Sequence, residues 1–150
     1  MPRPSDARLR LSRLQPLLSA HDILEIYQVR ECLESLAARI AAEQIPSEQL
    51  AALTHELAFS EQCATEGHHN EILESDIRFH KLIISATQNQ RLAAILTTLD
   101  DQMYRIRLTL PRSAGWIEET LAEHRAIVER ITTRDADGAA RAMGTHLRSF

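Results

Sequence analysis

Apolar residues recur every three or four positions along nearly the whole chain, and no stretch alternates with period two. That spacing predicts amphipathic helices rather than strands. A short first helix is expected over about Asp6 to Ser19, with Pro16 disturbing its end. A second, from about His21 or Asp22, carries DILEIYQVRECLESLAARIAAEQ and stops before Pro46, because the residue preceding a proline is pushed out of helical geometry. Ser47 is expected to cap the third, SEQLAALTHELAFSEQCATE, which ends at Gly67. The fourth contains NEILESDIRFHKLIISA and breaks near Asn89, whose plainest role is to cap or turn between helices. A fifth runs through LAAILTTLDDQMYRIRLTL to Pro111, and Trp116 anchors the start of a sixth, WIEETLAEHRAIVERITT. Asp135 caps the last, ADGAARAMGTHLRSF. The fold class is therefore all-α, an antiparallel bundle of about seven helices.

Four polar residues interrupt the apolar stripes. On the fourth helix Ile72, Asp76, Phe79, His80 and Ile83 fall on one arc, so the carboxylate and imidazole of DIRFH share the buried face. His124 lies in the middle of the stripe formed by Ile117, Leu121, Val128 and Ile131, and His146 shares its arc with Ala139, Met143 and Phe150. His55 lies off its stripe, and His68 and His69 flank a helix start beside Gly67. A single histidine on an apolar face is ordinarily a core residue donating to a carbonyl. Three imidazoles and a carboxylate turned inward together form a ligand set for a divalent transition metal, which helices of a bundle can present to a common centre. The competing reading is a metal-free network in which Asp76 pairs with a protonated His80.

Composition narrows the function classes. With 150 residues, 44% hydrophobic and 25% charged, the chain has the size and make-up of one globular domain. No apolar run reaches spanning length and no signal-peptide core follows MPRPSDARLR, so a cytoplasmic protein without membrane contact is expected. A net charge of -4 with interspersed signs supplies no electrostatic footprint for nucleic acid. Cys32 and Cys63 are isolated and read as reduced apolar residues. Residues 1–8, MPRPSDAR, read as a linker and residues 9–150 as the domain.

The stretches EIYQVRECLESLAARIAA, DIRFHKLIISATQNQRL, EHRAIVERI and DADGAARAMGTHL, from about Glu25 to the C-terminus, carry a resemblance. The chain resembles the FCD domain, the C-terminal effector-binding domain of the FadR subfamily of GntR-superfamily transcription regulators. The D-x-x-x-H pair, the later histidine of EHRAI and the histidine of THL stand in family order. The resemblance implies that Asp76, His80, His124 and His146 hold zinc, nickel or a similar ion inside the bundle. It further implies a small carboxylate effector beside or on the metal, and a homodimer whose DNA-binding heads respond to that effector. No winged helix-turn-helix is expected here, so DNA binding would belong to a parent protein.

Such a metal leaves a positive centre that favours an anion, and a 2-hydroxy or 2-oxo acid could chelate it. Arginines facing the cavity would add a bidentate grip. Arg30 shares an arc with Ile23, Tyr27, Ala37 and Ala41, its alternative being an ion pair with Glu34 one turn on. Arg107 borders the stripe of Leu92, Leu96, Leu99, Met103 and Ile106, Arg105 points away, and Tyr104 could donate to a ligand from the cavity edge, its plainer role being a packed core-edge tyrosine. The expectation is a binding domain and not an enzyme, since no free general base accompanies the ligands. A metal-dependent enzyme acting on an organic acid, and a structural dimerisation module stapled by metal, are the rival readings.

Overall fold

The computed structural model describes residues 18–149. The linker over residues 1–8, the first predicted helix up to Leu17 and Phe150 lie outside that range. Among the described residues there are seven helices and no strands: α1 (Ala20–Gln44), α2 (Ser47–Glu66), α3 (His69–Ala86), α4 (Gln90–Thr97), α5 (Asp100–Thr109), α6 (Trp116–Thr132) and α7 (Ala136–Arg148).

Local chemistry sets most of the boundaries. Ser19 opens α1 with a capping box, its hydroxyl accepting from the Asp22 N–H while the Asp22 carboxylate accepts from the Ser19 N–H. Ser47 is the first helical residue of α2 and not its cap. Pro46 holds the N-cap position in extended geometry, because its ring fixes φ and it has no N–H to lose. Gly67, at φ 77°, closes α2 in the left-handed region that glycine enters without steric cost. The Asn89 side chain accepts from the Leu92 N–H at 3.0 Å and starts α4, and the Asp135 side chain accepts from the Gly138 N–H at 2.9 Å and starts α7.

The expected fifth helix is two. It is interrupted at Thr98 and Leu99, where the Thr98 hydroxyl donates back to the Ile95 carbonyl at 2.6 Å and the Leu99 N–H reaches the Leu96 carbonyl. Such back-bonding competes with the regular ladder. Asp100 and Asp101 then favour a fresh N-terminus by facing its partial positive charge.

Helix α1 is the axis of the bundle, packing most extensively on α7 and also on α3, α4 and α6. Its inner face is lined by the fully buried Ala37, Ala38, Ala41 and Ala42, and small residues permit close helix approach. On α7 a side chain added at Gly144 would meet Ser35 Oγ at 3.3 Å, so this contact is already tight. The main core joins these alanines to Leu53, Ile72, Phe79, Ile83, Ile127, Ile131 and Met143, while Ile26, Met103 and Ile106 form a smaller cluster that pins α5 to α1. No helix among the described residues is long and apolar enough to cross a membrane.

Candidate functional site

The core is interrupted where α3, α6 and α7 meet. Asp76 and His80 lie one turn apart on α3, His124 comes from α6 and His146 from α7. Their donor atoms close a ring: Asp76 Oδ1 to His80 Nε2 is 3.4 Å, His80 Nε2 to His146 Nε2 3.2 Å, His146 Nε2 to His124 Nε2 3.3 Å, and His124 Nε2 to Asp76 Oδ1 3.3 Å. One donor atom from each residue lies within 4.8 Å of every other. The structure thus brings together all four inward-pointing residues expected from the sequence.

Each donor is held from behind. The His80 Nδ1–H donates to Glu34 Oε1 at 2.6 Å, and Glu34 Oε2 accepts from Arg30 Nε at 2.6 Å. The His146 Nδ1–H faces Glu123 Oε1 at 3.4 Å, and Arg107 Nε donates to Asp76 Oδ2 at 3.0 Å. His124 stacks on Phe79 with ring centroids 4.0 Å apart and planes 7° from parallel. The imidazoles of His80 and His124 are 5% and 3% exposed, whereas the Asp76 side chain is 20% exposed, so the ring is open towards Asp76.

Burial and charge pull the protonation states apart. Burial alone would lower His80, but the carboxylates of Glu34 and Asp76 outweigh it and raise its pKa. Burial dominates at His124 and takes its pKa down to about 4, despite the hydrogen bond to Asp76. At Glu34 burial is outweighed by His80 and Arg30, which bring its pKa to about 2, and at Asp76 by His80, His124 and Arg107, which hold it well below the usual carboxylate range.

This donor set suits a cation. The Nδ1 protons of His80 and His146 are turned to carboxylates, so with neutral rings their Nε2 lone pairs face one another across 3.2 Å. Neighbouring donors on a first-row metal with bonds of about 2.0–2.1 Å stand about 2.9–3.4 Å apart, which the four ring edges match. Carboxylates behind metal-binding histidines fix the tautomer that ligates. The residues present therefore fit a divalent transition metal.

Above the ring lies a cavity of about 520 Å³, counting its open mouth, lined by the four donors and by Tyr27, Arg30, Arg107, Arg112 and Trp116. Arg107, placed beside the site by the sequence, lies within it and orients Asp76. Arg30 also lines the cavity, with its Nε committed to Glu34 one turn on. Tyr104 does not: it is 54% exposed, because the inward face of α5 carries Met103 and Ile106, and Tyr27 of α1 lines the cavity instead. Glu34, Arg112 and Glu123 were not singled out for the site from sequence. Glu34 stands on the same arc of α1 as Tyr27, Arg30, Ala37 and Ala41, and a carboxylate on that arc was the available signal.

The model of the FCD domain family matches residues 25–149. The chain belongs to the FCD domain family. Among curated relatives, the HTH-type transcriptional repressor NanR of Cronobacter sakazakii is 35% identical over 130 residues, covering 85% of this chain and 49% of that protein. An uncharacterized HTH-type transcriptional regulator, YdhC of Bacillus subtilis, is 28% identical over 130 residues, covering 86% of this chain and 58% of its own length. This FCD domain thus spans about half the length of the relatives it matches. Both relatives are named as HTH-type transcription regulators, NanR as a repressor. Two solved structures share the fold: Streptococcus agalactiae GntR, with a TM-score of 0.74 at 22% identity over 89% of this chain and 60% of that one, and E. coli McbR/YncC, with 0.77 at 16% over 89% and 68%.

Proposed function

We propose that this FCD domain is the effector-sensing part of a GntR-type regulator, holding zinc or nickel at Asp76, His80, His124 and His146 and binding a small organic acid beside it. The observation that carries the reading is the closed ring of four donors from three helices at the base of a cavity. When bound, the metal would supply a positive centre that attracts a carboxylate or adjacent oxygen. The chain's own residues do the rest. Arg107 holds Asp76 through Oδ2 and leaves Oδ1 turned to the ring. Phe79 backs His124, Glu34 and Glu123 back the other two imidazoles, and the Tyr27, Arg112 and Trp116 side chains wall the space left for an anion.

Regulation requires that the effector bind one arrangement of the parent protein better than another. In this proposal the parent is a cytoplasmic homodimer, and DNA contact passes through a winged helix-turn-helix elsewhere in it. Metal analysis of protein purified without an affinity tag, beside His124→Ala, tests the site. Near-stoichiometric metal in the wild type and its loss in the variant are expected, followed by thermal stabilisation with members of a panel of 2-hydroxy and 2-oxo acids. Wild-type protein that takes no zinc or nickel after reconstitution would refute the metal, leaving the proton-linked network of Asp76 and His80.

A further inference from the structure

Glu34 is 2% exposed and belongs to none of the four donors, yet it is the deepest charged group of the site. A carboxylate there offers acceptors on both oxygens, and both are used: Oε2 takes the Arg30 Nε–H at 2.6 Å and Oε1 the His80 Nδ1–H at 2.6 Å. In the neutral ring the nitrogen facing Glu34 therefore carries the proton, which leaves the Nε2 lone pair facing Asp76 and His146.

We propose that Glu34 is a positioning residue that fixes the ligating tautomer of His80, with Arg30 fixing the orientation of Glu34 in turn. This rests on the metal reading above. Arg30 acts here as an anchor of the site's wall, through a charge-assisted bond at a buried position.

The arrangement makes Glu34→Gln a sharper probe than its small size change suggests. An amide has one acceptor oxygen and one NH2 donor, whereas the site requires two acceptors. Arg30, permanently charged, takes the oxygen. The NH2 is then aimed at His80 Nδ1, where it favours the tautomer with the proton on Nε2, pointing into the donor ring. Removing the cation with Arg30→Met frees the amide oxygen to turn round and accept from Nδ1 again. The double variant should therefore bind metal better than the single one, which two independent structural defects would not produce.

The test measures zinc affinity by chelator competition in wild type, Glu34→Gln, Arg30→Met and the double variant, with 15N NMR of the His80 ring in metal-free protein at a pH where the ring is neutral. Expected are a proton on Nδ1 in the wild type, a proton on Nε2 and about 10–100-fold weaker zinc in Glu34→Gln, and recovery of most of that loss in the double variant. Zinc affinity unchanged in Glu34→Gln, or additive losses in the double variant, overturns the role while leaving the metal site standing. Wild-type protein that takes no zinc overturns the metal reading and this role with it. Should Glu34→Gln fail to fold, the wild-type ring still decides, since a proton on Nε2 there overturns the assignment.

Discussion

Zinc should raise the melting temperature of the wild-type domain, and His146→Ala should remove most of that rise. Asp76 and His80 belong to α3, His124 to α6 and His146 to α7, so an ion held by all four ties three helices together. An unfolded chain does not assemble these donors, so binding free energy is transferred to folding. At a free zinc concentration of about 1,000 times Kd the linkage contributes about 4.1 kcal/mol. At about 2–4 °C per kcal/mol for a domain of this size, the rise is about 8–16 °C. His146 is the single donor from α7. If its removal weakens the site about 100-fold, the same zinc contributes only about 1.4 kcal/mol, or about 3–6 °C. Thermal melts with and without zinc read these shifts, and hydrogen exchange adds a local test: α7 amides gain protection in the wild type and not in the variant. His21 and His68, with exposed imidazoles beside Glu25 and Glu66, are the competing sites. Equal zinc shifts in wild type and His146→Ala would place the ion at such surface groups and refute the reasoning.

The metal-free protein should be most stable near pH 6.5, by urea midpoint across a pH series. The depressed pKa of His124, about 4, gives stability that is complete above 6.5 and lost as pH falls from 6.5 to 4, and that of Glu34, about 2, gives stability lost as pH falls from 4.5 towards 2. The raised pKa of His80 gives stability present below 6.5 and lost as pH rises through the folded-state value, so a profile flat from pH 4 to 8 would contradict these assignments. Phe79→Ala should cost about 3–5 kcal/mol in urea unfolding and weaken zinc binding as well, because Phe79 is both buried core and the wall against which His124 stacks; a cost under about 1 kcal/mol argues against that packing. Asn89→Ala should lower the melting temperature by about 2–4 °C through loss of the cap on Leu92, with zinc affinity unchanged. A drop in zinc affinity there would mean that the start of α4 is coupled to the site.

Much of the helical register was legible because helix periodicity is a local property. The inward set Asp76, His80, His124 and His146 follows from the positions of neighbouring apolar residues, and the caps at Asn89 and Asp135 from residue chemistry within three positions. The break at Thr98 and Leu99 was missed although its signals, two threonines followed by two aspartates, stand in the sequence, because the apolar stripe runs through it.

What the sequence by itself determined is which side of each helix turns inward, since that depends on residues one turn apart. Only the tertiary structure decided which inward groups meet. Glu34 and His80 are separated by 46 positions and Asp76 and Arg107 by 31, and both pairs exist because α1 packs against α3 at a particular rotation and α5 is turned so that Arg107 reaches Asp76. Those rotations arise from the small buried alanines of α1 and from the cluster of Ile26, Met103 and Ile106. The same rotation puts Tyr27 at the cavity and leaves Tyr104 outside it. A helix turned by one residue about its axis, roughly 100°, would keep its pattern and lose the site.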